Sequence, residues 1–204
     1  SLFIKEVVRE MTLKAGQKCT AIRRVIVPEE SIDAVVDALS MRLKQTVAGD
    51  PALEGVRLGA LVSAEQAADV HARVAELSEE TEIVLGGDLE MTLEGLDTNA
   101  GAFYPPTLLR CNNPMAAEKV HSVEAFGPVA TVMPYQHLGE AVELARKGKG
   151  SLVGSVYTYD DVEARTLILG AAPWHGRMLV LNRDCAGEST GHGAPLANLV
   201  HGGP

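Results

Sequence analysis

Gly16-Gln17-Lys18-Cys19 sets a thiol three residues after a glycine and just before the apolar run Ile22-Arg23-Arg24-Val25-Ile26-Val27. Glycine permits a tight bend, so the cysteine can project from a turn instead of lying along a helix. A thiol held that way could act as a nucleophile, with Lys18, Arg23 and Arg24 close in sequence to favour the thiolate. Free cysteine is also among the most buried residue types, so by itself Cys19 reads first as core filler. A second stretch, HSVEAFGPVATVMPY (121–135), has Glu124 just ahead of Ala125-Phe126, and Gly127-Pro128 then turns the chain into a strand. A carboxylate at that turn is a good acceptor for two sugar hydroxyls, and Phe126 offers a flat apolar wall. The bland alternative is a solvated glutamate and a core phenylalanine. A third stretch begins at Val180. Asn182 ends an apolar strand, the place where α/β folds set their ligand crevices, and Cys19 and Glu124 are expected together at that carboxyl edge of the sheet. His192 and His201 follow among glycines, as a base, a metal ligand, or simply a solvated or tail-positioning pair. Cys111 and Cys185 read as structural.

The elements that must position these residues follow from periodicity. Phe3, Val7, Val8 and Met11 fall at helical spacing over 3–14, and Gly16 is a plausible stop. Residues 22–27 read as a strand ended by Pro28. A helix over 30–46 carries Ile32, Val35, Val36, Leu39 and Leu43 on one face. Ser63 and Gln66 form a capping-box pattern before a helix with Val70, Val74 and Leu77. Strands follow at 83–85, near FYPPTLL, and at 129–135, 151–159 and 178–182. Helices cover 138–147 and a segment to about 170 capped by Asp160 or Asp161. Strands alternating with helices of this length predict an α/β fold, a mostly parallel sheet with helices on both faces, in one domain over 1–204. The stretch 183–204 reads as a Gly-rich loop or tail, and a loop that long after a core strand is functional or disordered.

Composition narrows the function classes. With aromatics at 4%, the core must be built of Val, Leu, Ile and Ala. The net charge of −9 argues against nucleic acid and against an anionic membrane surface. No apolar run approaches the roughly 18 residues of a membrane helix. Three widely spaced cysteines suggest a reducing, cytoplasmic compartment instead of a disulfide framework. No Cys-x-x-Cys or His-x-x-x-His spacing points to a metal. The chain opens inside an apolar pattern without Met and closes on loop residues, so it reads as a piece of a longer protein.

Taken in order, these stretches resemble the aldehyde dehydrogenase superfamily. Gly16-Gln17-x-Cys19 is similar to its nucleophile motif and Tyr104-x-Pro106-Thr107 to the segment before a core strand. Glu124-x-Phe126-Gly127-Pro128 is similar to its Glu-x-Phe-Gly-Pro box. Leu152-x-x-Ser155-Val156-x-Thr158-x-Asp160 and Asn182 follow in sequence. The tail GESTGHGAPLANLVHGGP resembles a narrower group, the aldehyde dehydrogenase parts of phenylacetate-degradation proteins of the PaaZ type, which oxidise a ring-opened CoA-thioester semialdehyde. The resemblance implies that Cys19 is the nucleophile and that its backbone N–H is one oxyanion donor. It implies that Glu124 holds the nicotinamide ribose of NAD or NADP, and that Phe126 lines the site of the ring. It also implies a nucleotide-binding domain, a general-base glutamate and an oxyanion asparagine upstream of this chain, and an oligomerisation strand beyond it. Glu6 and Glu10 match no motif and are not that base. The parent would be a homo-oligomer acting on an aldehyde, one that the narrower resemblance implies is CoA-linked. Two alternatives stand beside this one: a separately folding, non-catalytic piece that only associates with itself or its other domain, and a Cys-dependent acyl transferase or hydrolase.

Overall fold

The computed structural model describes residues 1–97, 101–189 and 191–193. Strand β1 (Arg24–Pro28), β3 (Glu82–Leu85), β5 (Thr107–Arg110) and β6 (Val129–Tyr135) form a four-stranded sheet in the order β1-β6-β5-β3. Both neighbours of β6 run parallel to it, and β3 closes one edge antiparallel. Two short strands, β2 (Ala48–Gly49) and β4 (Leu93–Glu94), pair parallel in a separate ribbon within stretches that the periodicity left as loop. Strands β7 (Ser151–Tyr157) and β8 (His175–Leu181) make a third, parallel pair.

Alternation along the strands explains why helices cover both faces of the sheet. Val25 and Val27, Leu108, and Ala130 and Val132 point to one side, where they pack on Ile4, Val7 and Met11 of α1 (Leu2–Thr12). The same layer takes Ile32, Val36, Leu39 and Leu43, the apolar stripe of α2 (Ile32–Lys44). Leu109, Val129 and Met133 point the other way, onto Val70, Val74 and Leu77 of α3 (Ala64–Ser78). The period of two in the strands thus meets stripes of period 3.6 in the helices. Full burial of each of these aliphatic side chains contributes roughly 1.5–3 kcal/mol. The remaining helices are α4 (Lys119–Ser122), α5 (Leu138–Lys147) and α6 (Asp161–Ala171). Asp160 is the cap of α6; its carboxylate accepts from Val162 and Glu163 N–H at 2.7 and 3.0 Å.

Two contacts bring the candidate loops together. After α1 the backbone makes a left-handed turn at Lys14, Ala15 and Gly16, with φ of 54°, 52° and 70°. Gly16 lies directly on the Gly127 carbonyl and the Pro128 nitrogen, with no room for a Cβ. Gly127 in turn backs onto Val70 of α3. Separately, the Glu80 carboxylate accepts from the N–H groups of Glu118, Lys119 and Val120, at 2.7 Å for Lys119. That carboxylate caps α4, the single turn of helix that leads into Glu124.

Gly16→Ala therefore combines left-handed strain with a backbone collision and should cost upwards of about 2 kcal/mol. Gly101→Ala, at φ 73° with only the Phe103 ring in ordinary contact, should cost about 1 kcal/mol. Urea unfolding of the two variants checks the difference. Glu80→Ala should lower stability by about 0.5–2 kcal/mol through loss of the cap, measured the same way.

Candidate functional site

Cys19 sits in the tight loop between the left-handed turn and β1. Lys18 N–H donates to the Gly16 carbonyl at 3.0 Å and Ala21 N–H to the Lys18 carbonyl at 2.9 Å. The thiol is exposed, and the Cys19 N–H makes no hydrogen bond among the described residues. The neighbouring Gln17 does the anchoring: its Oε1 accepts from Val62 N–H at 3.0 Å, just ahead of α3. The other loop is held from the same place. Ser63 Oγ caps α3 by accepting from Gln66 N–H at 3.2 Å. The Gln66 side chain, expected to complete a capping box, instead donates to the Phe126 carbonyl at 3.2 Å. Phe126 itself has φ 49°, a left-handed conformation for a bulky residue. Sequence reasoning had Gln17 only as part of a motif and Gln66 only as a cap. Two strained turns, at Lys14–Ala15 and at Phe126, are thus fastened by two amides to the start of one helix. Strain of this kind persists only where the surroundings over-determine it, and it concentrates at functional sites.

Cys19, Glu124 and Phe126 line a single cleft of about 730 Å³, together with Thr20, Ser155 and His192. The cleft runs between β1 and β7. Cys19 and Glu124 therefore share one edge of the sheet, but it is the amino edge, not the expected carboxyl edge. Cys19 and Glu124 each precede a strand, β1 and β6, and those strands are parallel neighbours with Arg24 opposite Thr131. The chain enters both strands at the same end, so the two entry loops must lie side by side. Asn182 sits at the other end of its strand, where its Oδ1 accepts from the N–H groups of Asp184 and Cys185 at 2.9 and 3.1 Å.

The charges expected to favour a thiolate are largely engaged elsewhere. Lys18 Nζ lies 2.5 Å from Glu10 Oε2, on a glutamate that is buried on α1. Glu6 pairs with Arg9 at 3.4 Å. Arg24 donates to the carbonyls of Leu144 and Ala145 at 2.7 and 3.1 Å, closing the last turn of α5. Burial, with Arg23 nearby, lowers its pKa to about 10, which leaves it charged at neutral pH. Its Nη1 also lies 3.2 Å from His121 Nδ1. His121 Nε2 faces the Pro114 carbonyl at 2.8 Å and must donate there, so Nδ1 is the acceptor. Burial holds that imidazole below its usual pKa. Of the other cysteines, Cys111 is buried, and desolvation pushes its thiol up. Cys185 is half-buried in the turn after β8.

His192, which read as a metal ligand, a base or a solvated residue, is 5% exposed and sits in the wall of the cleft. His201 lies outside the described residues. Among the described residues no group of three His, Cys, Asp or Glu side chains is arranged to hold a metal, and no helix is long and apolar enough to cross a membrane.

Comparison with known proteins places this geometry. The sequence pattern of the aldehyde dehydrogenase family matches residues 1–183. A 3,4-dehydroadipyl-CoA semialdehyde dehydrogenase of Aromatoleum evansii is 46% identical over 203 residues, 100% of this chain and 39% of that protein. Protein MaoC of Klebsiella aerogenes is 50% identical over 148 residues, 72% of this chain and 42% of that protein. The chain thus spans about two fifths of the length of these relatives. Among solved structures, HpcC from Thermus thermophilus superposes with a TM-score of 0.78 at 26% identity, covering 87% of this chain and 34% of that one. Lactaldehyde dehydrogenase from Escherichia coli gives a TM-score of 0.74 at 29% identity, over 87% and 35%. With the expected α/β architecture present and the family pattern running through nearly all of the described residues, the chain belongs to the aldehyde dehydrogenase family.

Proposed function

We propose that this chain is the catalytic domain of an NAD(P)-dependent aldehyde dehydrogenase, with Cys19 as its nucleophile. The observation that carries the reading is the meeting of Cys19, Glu124 and Phe126 in one cleft, from loops more than a hundred residues apart in sequence. The exposed Cys19 thiol, as thiolate, adds to the aldehyde carbonyl and forms a thiohemiacetal. Its own N–H, uncommitted among the described residues, would donate to the resulting oxyanion. Transfer of hydride from the thiohemiacetal carbon to the dinucleotide would leave a thioester on Cys19. Water then cleaves the C–S bond, releasing the acid and returning the thiol.

The residues present fit a dinucleotide. Glu124 is exposed at the mouth of the cleft and no hydrogen bond engages its carboxylate among the described residues, as a diol acceptor requires. The Phe126 ring is 40% exposed beside it, a free apolar face for a flat ring. When bound, NAD(P)+ supplies the hydride acceptor. Glu124 would orient its ribose, and Phe126 would line the site of its nicotinamide. The rest of the dinucleotide site, the general base and the second oxyanion donor belong to a nucleotide-binding domain in a longer chain. The substrate class is a CoA-linked semialdehyde of aromatic-acid breakdown. Support comes from the 46% identity over the whole chain to a relative named for such a substrate and from the similar Gly-rich tail.

In the full-length protein, Cys19→Ser should reduce dinucleotide reduction at least 10³-fold, while intrinsic dinucleotide fluorescence still reports binding. Turnover of Cys19→Ser within tenfold of the parent would exclude the nucleophile role. Glu124→Gln should raise KM for the dinucleotide, or lower kcat, by tenfold or more without changing KM for the aldehyde. Steady-state kinetics with 6-oxohexanoyl-CoA and with hexanal separate the substrate classes. A CoA-linked substrate predicts kcat/KM at least a hundredfold higher for the thioester, and equal values would remove the CoA assignment. The 204-residue chain alone should give no steady turnover, since general-base catalysis by itself is worth about 10²–10⁴-fold.

A further inference from the structure

The turn at residues 191–193 comes back across the cleft and touches the nucleophile loop. We propose that His192 is a positioning residue for Cys19, clamping the backbone of Thr20 to Ser155 of β7. The proposal rests on the reading of Cys19 as the nucleophile.

Three observations support it. First, the ring is bonded on one side and faces the nucleophile loop on the other. His192 Nδ1 lies 2.7 Å from Ser155 Oγ. The opposite side of the ring is turned to the Thr20 backbone, whose carbonyl favours the protonated imidazole, so Nε2 carries the proton there. The Ser155 hydroxyl then donates to Nδ1. Second, the backbone on either side of the ring is itself held. Arg177 Nη2, from β8, donates to the His192 carbonyl at 2.6 Å. Gly193 lies against Lys18 Nζ, Thr20 Oγ1 and Glu10 Oε2, so a Cβ there would meet all three within about 3 Å. The segment is thereby seated on the Lys18–Glu10 ion pair, one residue before Cys19. Third, the ring is neutral at physiological pH. Burial, with the Lys18 charge next in size and Arg177 and His175 also contributing, lowers its pKa to about 4. A neutral imidazole donates from one nitrogen and accepts at the other, which a bridge between a hydroxyl and a carbonyl needs; an imidazolium could not accept from Ser155.

The Cys19 loop has little else on this side. It is fixed to α3 through Gln17 and to Gly127 through Gly16, both ahead of the cysteine. Behind it, β1 does not begin until Arg24. The 191–193 turn, with His192 bonded to Ser155 and Gly193 against Thr20 and Lys18, is what joins this side of the loop to β7. Releasing it lets the thiol drift, and a displacement of about 1 Å from the reactive geometry is worth on the order of 10²-fold in rate.

The test uses the full-length protein with His192→Ala, His192→Gln, Ser155→Ala and the double variant His192→Ala/Ser155→Ala. With 6-oxohexanoyl-CoA, His192→Ala should lower kcat tenfold or more and leave KM for the dinucleotide unchanged. His192→Gln, whose amide can also donate and accept, should recover at least half of the loss on a logarithmic scale. Ser155→Ala should fall in the same direction, and the double variant should be no worse than the worse single, as for two members of one bridge. Hydrogen exchange gives an independent reading of the turn. The Ala21 amide, bonded to the Lys18 carbonyl, should exchange at least tenfold faster in each variant, and amides of β6 should not change. If Cys19→Ser retains turnover, the nucleophile reading fails, but the exchange measurement still decides whether the clamp exists. A His192→Ala protein with kcat within twofold of the parent, or an Ala21 amide that exchanges at the parent rate in Ser155→Ala, overturns the proposal. Should His192→Ala not fold, Ser155→Ala removes one hydroxyl alone and settles it by the same two measurements.

Discussion

The contact of Gly16 with the Gly127 carbonyl is the constraint on which the site depends. Neither glycine has room for a side chain, the first against the second and the second against Val70 of α3. The distance between Cys19 and Glu124 is thereby set by two backbones and not by the rotamers of long side chains. Every other feature of the cleft sits on that junction. The left-handed run at Lys14–Ala15 delivers the chain to Gly16 at the necessary angle, and the left-handed Phe126 delivers it to Gly127. Gln17 and Gln66 then pin the two turns to the first turn of α3. Strained non-glycine residues of this kind cost about 1–3 kcal/mol each and need such support.

Electrostatics in the cleft follow a different division of labour from the one the local sequence suggests. Lys18 and Arg24 hold structure together: Lys18 neutralises a buried glutamate on α1, and Arg24 satisfies the last carbonyls of α5 and a neutral His121. Two of the three cations nearest Cys19 in sequence therefore hold structure together, one beside a buried glutamate and one at a helix end.

The cleft lies between β1 and β7. On the sheet side stand the entry loops of β1 and β6; on the other stand β7, β8 and the 191–193 turn. These halves meet beside Cys19, where His192 bonds Ser155 and Gly193 lies against Lys18 and Thr20.

The sequence by itself determined the layers and nearly every element. The stripes of α2 and α3 and the buried runs of β5 and β6 are periodic patterns that the burial of side chains enforces, and they were legible without coordinates. Cys19, Glu124 and Phe126 were singled out by the resemblance of their ordered motifs to a family; by type and spacing alone each read first as a core or solvated residue. Tertiary structure alone decided where those residues meet. The general rule for α/β crevices pointed to the carboxyl edge, but the register of two parallel strands puts both entry loops at the amino edge. It also decided the partners of side chains that sequence assigned locally. Gln66 left its cap for the Phe126 carbonyl, Lys18 turned to Glu10, and His192, set among glycines, became a buried bridge. Short-range preference favours the nearest backbone group, yet a buried polar atom takes whichever partner the packed fold presents, and that choice is made only once the distant segments have come together.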